Sequence, residues 1–214
     1  ISDYDRVVRQ RNTLLKTRAP QSALEPWTEQ LIRFGAELSA ERVKLVDDLN
    51  PYVAEHYRNL NEVKPASISY KSSTEGLTAD VATNAEILTA RAAEVLKQEM
   101  DRGASLIGPH RDDLHLQLGD FPAKGYASHG ESWSMAIALR IGSYTLLKSE
   151  GADPVLILDD IFAELDNQRR QQLTTVTQLA EQTIITTAVE SDLPPELLSA
   201  KFYVTPGKVS ATNG

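Results

Sequence analysis

Cysteine is absent from this chain of 214 residues, and so is any apolar run of 18 residues. Without cysteine the chain forms neither a disulfide nor a thiolate metal site, which is typical of a protein from a reducing compartment. Without a long apolar run or a signal-peptide pattern, neither membrane spanning nor secretion is indicated. We therefore expect a cytoplasmic protein.

Basic residues are scarce: 22 Lys and Arg against 30 Asp and Glu give a net charge of -8. Nucleic-acid-binding domains are usually basic, so the average argues against that class of partner. The first 18 residues are an exception, because they hold five basic residues and two acidic ones. Two interpretations stay open for Arg6, Arg9 and Arg11: a solvated helix surface, or a helix that contacts nucleic-acid phosphates.

The first half of the chain predicts helices. Between residues 22 and 61 the apolar residues recur three or four apart, which is typical of one helical stripe, and Pro51 should bend or divide that helix. We expect residues 1–105 to form a mainly helical arm. Its other predicted elements are helices at 3–16 and 83–102 and a short strand or extended linker at 66–70.

After residue 106 the pattern changes to α/β. Residues 114–118 alternate leucine with polar residues, as in a strand with one covered face. The apolar run at 155–158 and the Ile/Thr segment at 183–187 predict buried strands, and the helix expected between them makes a right-handed β-α-β unit. We therefore predict an α/β lobe over residues 106–214, with a helix at 167–182 and a last strand at 201–204.

Two carboxylates, Asp159 and Asp160, follow the apolar run Val155-Leu156-Ile157-Leu158 directly. The chain direction puts them at the carboxyl end of a parallel strand, where open α/β sheets hold their ligands. Paired acids in this position suit a magnesium ion and the water that attacks a phosphate. An ordinary turn or helix cap after a buried strand is the alternative interpretation.

A helix start lies upstream, where Ser128, Gly130 and Ser132 precede an apolar segment with helical spacing. Free backbone N–H groups and the positive end of the helix dipole suit a phosphate at such a point. The alternative is a plain N-cap formed by Ser128 or Ser132. In the nearby segment 108–113, we expect Arg111 to pair with Asp112 or Asp113 and to hold a turn, with a contact between lobes as the alternative.

The order of these motifs resembles that of ABC-type ATPases, with a signature helix, a Walker B strand and a D-loop. In detail the chain resembles the C-terminal part of the RecF family in its actinobacterial branch, from Tyr4 onward. Three runs carry this resemblance: Gly108-Pro109-His110-Arg111-Asp112-Asp113-Leu114, Lys124-Gly125-Tyr126-Ala127-Ser128-His129-Gly130-Glu131-Ser132, and Leu158-Asp159-Asp160-Ile161-Phe162-Ala163-Glu164-Leu165-Asp166.

The resemblance implies a role for each matched residue. Asp159 would hold Mg²⁺ beside ATP, and Asp160 would position the attacking water. Asp166, in the D-loop, would bridge two copies of the protein in an ATP-dependent homodimer. The signature residues that would contact the ATP bound to the second copy are Ser128, His129, Gly130 and Glu131.

The chain also departs from the family pattern. No Gly-x-x-x-x-Gly-Lys-Ser/Thr phosphate loop is present, so ATP and Mg²⁺ are not expected to bind this chain stably on its own. The family carries that loop near its N-terminus, and a first residue Ile1 agrees with the C-terminal part of a longer protein. Glu131 stands where the signature usually has an amide. No histidine follows His129, so the resemblance assigns the switch role to Thr187.

The function that the resemblance implies is an ATP-dependent DNA clamp in recombinational and postreplication repair, with weak DNA-stimulated ATPase activity and a place in the SOS response. It would recognise gapped or single-strand/double-strand junction DNA and help to load recombinase with RecO and RecR. Arg6, Arg9 and Arg11 would contact the DNA. The alternatives are a non-enzymatic dimerisation or partner-binding module, and a transporter or chromosome-organising ATPase of the same superfamily.

Overall fold

The computed structural model describes residues 1–60, 64–197 and 200–212, without the side chains of residues 164, 168 and 212. The chain forms two compact units: unit 1 contains residues 1–51 and 66–127, and unit 2 contains residues 52–65 and 128–214. The predicted arm and lobe, divided at residue 105, stay a prediction. The predicted fold class, α/β with a β-α-β core and a helical subdomain, is confirmed.

Unit 1 is built from long helices and a small antiparallel sheet. Helix α1 (Ser2–Lys16) is followed by α2 (Gln21–Leu60), which passes from unit 1 into unit 2. The later elements are strand β1 (Ala66–Lys71), helix α3 (Val81–Arg102), strands β2 (Asp113–Leu118) and β3 (Phe121–Pro122), and the helical turn α4 (Ala123–Tyr126). Strand β2 pairs with β1 and with β3, both antiparallel, so residues 66–70 form a strand and not a linker.

Helix α2 is continuous over 40 residues and contains both Pro26 and Pro51. Pro51 therefore does not divide this helix. Division was one of the two outcomes predicted for Pro51, and bending was the other. Both proline rings are exposed, so each occupies the outer side of the helix. A proline there removes one hydrogen bond without also costing buried packing, and the apolar stripe on the covered side keeps the helix together.

The core of unit 1 joins its three long helices. Tyr4 and Val7 of α1 pack with Leu31 of α2 and with Ala92 and Val95 of α3. A fully buried ion pair lies in the same unit, where Arg11 Nη2 is 2.6 Å from Glu99 Oε2. Arg11 Nε also bonds Thr28 Oγ1 at 3.0 Å and Nη1 bonds Ser105 Oγ at 2.8 Å, so each guanidinium nitrogen has a partner inside the protein.

Unit 2 contains helix α5 (His129–Ser149) and a β-α-β unit of β4 (Leu156–Asp159), α6 (Asn167–Thr177) and β5 (Thr183–Thr186). Strands β4 and β5 are parallel, as predicted, with Asp159 opposite Thr186. A hairpin of β6 (Lys201–Thr205) and β7 (Lys208–Thr212) ends the described chain, and β7 was not predicted.

Two details of the predicted β-α-β unit are wrong. The strands were expected to be buried, but Ile157 is 65% exposed and Ile184 is 45% exposed, while Leu158 is buried. Each strand therefore has one open face. Helix α6 ends at Thr177 and not at residue 182, because the amides of Leu179 and Ala180 form tight turns with Val176 and Thr177.

Within the described chain, no helix is long and apolar enough to cross a bilayer.

The buried pair predicts a large loss of stability when one partner is neutralised. Replacing Glu99 with Gln leaves the Arg11 charge buried without a counter-charge, so the free energy of unfolding should fall by about 3–5 kcal/mol. Chemical denaturation measures it. The matched control is Glu94→Gln on the same helix, whose pair with Arg91 is exposed and should be worth less than about 1 kcal/mol. Equal losses for the two variants would contradict this assignment.

Candidate functional site

The paired acids lie at the end of β4, as the sequence predicts. The hydroxyl of Thr186, on β5, donates to Asp159 Oδ1, and the backbone N–H of Asp160 donates to the carbonyl of Thr186 at 3.1 Å. Both carboxylate residues are exposed. The exposed carboxylate of Asp159 is chemically suited to magnesium, which typically takes one or two protein carboxylates and completes its shell with water and phosphate.

Asp160 has a left-handed backbone conformation, with φ 51° and ψ 22°. Among the described residues it shares a positive φ with only one other non-glycine residue, Arg18. Such a conformation costs about 1–2 kcal/mol for most side chains, although Asp tolerates it better than others. Its place directly after the strand marks Asp160 as a functional candidate, since backbone strain of this kind collects at such sites.

The threonine hydroxyl beside the acids belongs to Thr186 and not to Thr187. The Thr187 hydroxyl donates to the carbonyl of Val189 at 2.9 Å, so it closes a turn after β5. The hydroxyl of Thr186 reaches Asp159 because the two residues are paired across the parallel strands. The switch role that the resemblance assigns to Thr187 stays a prediction. Thr186 is a further residue of this site, and the sequence alone did not single it out.

Ser128 caps helix α5 in a capping box. Its hydroxyl accepts the backbone N–H of Glu131 at 3.2 Å, while Glu131 Oε2 accepts the backbone N–H of Ser128 at 2.8 Å. Lys64, which follows α2 in the chain, donates to the other carboxylate oxygen of Glu131 at 2.6 Å. The sequence reasoning missed Lys64. The N-cap and the phosphate interpretations of Ser128 are compatible, since the capped helix tip remains exposed.

The contact with Lys64 and the amide of Ser128 hold the Glu131 carboxyl in its charged form. Its pKa is lowered from 4.5 to about 2, first by the Lys64 hydrogen bond and then by the hydrogen bonds with Ser128. Glu131 is therefore an anion throughout the physiological pH range. It lies at the positive end of the helix dipole, which favours a negative charge.

His129 and Gly130 complete the tip of α5. His129 is exposed, and its Nε2 accepts a hydrogen bond from the indole Nε1 of Trp133 at 3.0 Å. One turn of the helix thus orients the imidazole. At Gly130 a Cβ atom would lie 3.2 Å from the guanidinium of Arg169, so a larger residue would disturb that contact.

Arg169 links the start of α5, the predicted signature, to the start of α6, where Asp166 is the predicted D-loop residue. Its Nη1 bonds Asp166 Oδ2 at 2.9 Å, its Nε bonds Ser134 Oγ at 3.0 Å, and its Nη2 points to the carbonyl of Gly130 at 3.5 Å. Asp166 also caps α6, since its Oδ1 accepts the backbone N–H of Arg169 at 2.9 Å. Arg169 was not among the predicted site residues, although its position one turn after the D-loop aspartate could have indicated it.

The three arginines predicted to contact DNA do not share one environment. Arg6 and Arg9 are exposed on α1, as that prediction requires. Arg11 is fully buried in its pair with Glu99, so the prediction for Arg11 is wrong. Residues two positions apart on a helix lie on different faces, and the face of Arg11 is the one that packs against the core.

Arg111 does not form the predicted pair with Asp112 or Asp113 among the described residues. Asp112 instead accepts hydrogen bonds from the hydroxyls of Tyr70 and Ser72 and from the backbone and side chain of Ser73. This carboxylate fastens the loop after β1, and Arg111 is exposed.

In the described part of the chain, no three His, Asp or Glu residues come together as a group that could hold a metal ion.

Comparison with known proteins finds close relatives. The chain is 48% identical to the DNA replication and repair protein RecF of Rhodococcus erythropolis, over 95% of the chain and 56% of that protein. It is 47% identical to the protein of the same name from Streptomyces avermitilis, over 97% of the chain and 59% of that protein. The chain thus spans little more than half the length of these relatives. No family model matches it.

Solved structures share the fold. The structure of the recombination mediator protein RecF with ATPrS in the RecFOR pathway matches with a TM-score of 0.84 and 23% identity, over 98% of this chain and 57% of that one. A structure of RecF with ATP matches with a TM-score of 0.83 and 22% identity. At these identities the match establishes the fold and not the ligands of this chain.

The Lys64 contact predicts how the Glu131 carboxyl titrates. Because its pKa is lowered in the folded state, its stabilising contribution is present above about pH 4.5 and is lost as the pH falls towards 2. Replacing Lys64 with Ala should raise that pKa towards 4.5, most clearly at low salt because Lys64 is half exposed. Carboxyl ¹³C NMR titration measures it.

The matched control for this titration is Lys201→Ala. Lys201 is paired with Glu190, an ion pair elsewhere in unit 2, and its loss should raise the pKa of Glu190 while the pKa of Glu131 stays unchanged. If the pKa of Glu131 remained near 2 after loss of Lys64, the helix cap alone would account for the shift.

Proposed function

The chain belongs to the RecF family of DNA replication and repair proteins, and we propose that it forms the C-terminal part of an ATP-dependent DNA clamp used in recombinational and postreplication repair. The observation that carries this proposal is the arrangement in unit 2. Strand-end carboxylates at Asp159 and Asp160 occur together with a capped, exposed helix tip at Ser128, and Arg169 fastens that tip to the D-loop residue Asp166. In a dimer of the ABC type, the acids would serve the metal and the water at one nucleotide, and the helix tip would meet the nucleotide held by the other copy.

The proposal requires a longer polypeptide that supplies a phosphate loop. The chain spans 56–61% of the length of its curated relatives and contains no such loop. The open faces of Ile157 and Ile184 support this requirement, because parallel strands are normally covered on both faces. On its own, this part is not expected to hydrolyse ATP.

ATP would join two copies of the protein. Mg²⁺ beside Asp159 would neutralise the phosphate charge and act as a Lewis acid. The helix tip, with Ser128 and His129 exposed and Gly130 half-buried, would contact the triphosphate held by the other copy, using backbone N–H groups and the helix dipole. Because such contacts exist only with nucleotide bound, ATP would favour the closed homodimer.

Asp160 would act on the attacking water in this closed state. Its exposed carboxylate can accept a proton or a hydrogen bond from water, and the bond from its backbone to Thr186 fixes its position. Thr187 would have the switch role, with the Thr186 hydroxyl holding Asp159 beside it. Asp166 would transmit the state of the subunit contact to α5 through Arg169.

DNA would bind through exposed basic residues on unit 1, among them Arg6 and Arg9. Contacts with phosphates are independent of sequence, which suits recognition of a DNA structure such as a gap or a junction. The proposed partners in the cytoplasm are RecO and RecR, with which the clamp would help to load recombinase. Weak ATPase activity stimulated by DNA would then release the clamp from the DNA.

The role of Asp160 can be tested in the longer protein. Asp160→Asn removes the acceptor charge but preserves the shape, so ATP should still bind and close the dimer, while turnover should fall by about 10²-fold or more. Phosphate release measures turnover and sedimentation measures the dimer. Asp153→Asn, on an exposed residue before β4, is the matched control and should be neutral. Normal turnover by the Asp160 variant would remove this residue from catalysis.

The DNA surface is tested by the double variant Arg6→Ala/Arg9→Ala. If both side chains contact phosphates, duplex affinity should fall and the slope of log K against log salt should decrease by about two. A double variant with the same charge change, Lys44→Ala/Arg91→Ala, alters exposed positions on α2 and α3. An equal change in slope for both double variants would indicate a general charge effect and not a binding helix.

A further inference from the structure

We propose that Lys64 is a positioning residue of the signature site, which neutralises Glu131 so that the tip of α5 can receive a nucleotide phosphate. This inference rests on the function proposed above and adds a residue outside the signature motif. Lys64 lies between α2 and β1, and its Nζ is 2.6 Å from Glu131 Oε1.

Glu131 creates an electrostatic problem for the proposed site. Its carboxylate lies at the start of α5 and accepts the backbone N–H of Ser128. A phosphate would approach the same positive end of the helix dipole, and two anions there would repel each other. Without a nearby cation, the glutamate would weaken the phosphate site that the helix start provides.

Lys64 removes this repulsion by pairing with the carboxylate. The Glu131 side chain is 14% exposed and the Lys64 side chain is 47% exposed, so the acid is the more covered partner. An ammonium group is a compact point charge, and in the described part of the chain Lys64 donates to Glu131.

The neighbouring contacts keep this pair in place. Glu131 is held from the helix side by the capping box with Ser128, and its pKa of about 2 keeps the charge on at every physiological pH. The pair is thus a fixed part of the helix tip and does not switch with protonation. Lys64 acts by neutralising the charge of Glu131. The proposed roles at the metal and at the attacking water belong to Asp159 and Asp160.

The test uses the longer protein and a slowly hydrolysed ATP analogue, with dimer formation followed by sedimentation. Lys64→Ala should raise the analogue concentration for half-maximal dimerisation on the order of tenfold. Glu131→Gln removes the repelling charge but can still accept from Ser128, so the double variant Lys64→Ala/Glu131→Gln should return to within about twofold of the wild type. Lys64→Arg should keep near-normal dimerisation.

Rescue separates this role from a purely structural one. If Lys64 only stabilised the fold, Glu131→Gln would break the same pair and cause the same defect, and the double variant would not recover. Lys97→Ala, an exposed lysine on α3, is the matched control and should leave dimerisation unchanged.

The two proposals can fail separately. If the wild-type protein does not dimerise with the analogue, the proposed function fails. If the wild type dimerises and Lys64→Ala dimerises equally well, or the double variant does not recover, the role of Lys64 fails while the function stands.

Discussion

The guanidinium of Arg169 is the contact on which the organisation of unit 2 depends. It bonds Asp166 at the start of α6 and both Ser134 and Gly130 on α5. Two helix starts are thereby fixed relative to each other by one rigid, planar group with several donors. Any displacement of the D-loop would act on the signature helix through this side chain, so the geometry links the two motifs that the proposed dimer would use.

The sequence was sufficient to predict elements whose signal is local. The apolar stripe of α2, the alternation in β2 and the strand before Asp159 each appear in the structure close to their predicted bounds. An N-cap at Ser128 could also be predicted, because the residues of a capping box are only three positions apart in the sequence. Such features depend on neighbours in the chain, and for that reason periodicity and spacing reveal them.

Contacts between distant positions could not be predicted in the same way. Arg11 has the same residue type as Arg6 and Arg9, but its partner Glu99 lies 88 positions away, and only the packing of α1 against α3 brings the two together. Lys64 and Glu131 are 67 positions apart, and Thr186 meets Asp159 through strand register. A single sequence carries no direct signal for such pairs, so the buried charge of Arg11 was taken for a surface one, and Lys64 and Thr186 were missed as residues of the site.

The acidic balance of the chain does not conflict with the proposed binding to ATP and DNA. Charges separated by more than about 8 Å are largely screened at physiological ionic strength, so the groups nearest to a phosphate outweigh a net charge of -8. At the tip of α5 the Glu131 charge is balanced by Lys64, and Asp166 is balanced by Arg169. What remains at that tip is the positive end of the helix dipole. In the proposed site, a neutralised carboxylate at this helix start would serve the same purpose as the amide of the ABC-type signature that the sequence resembles.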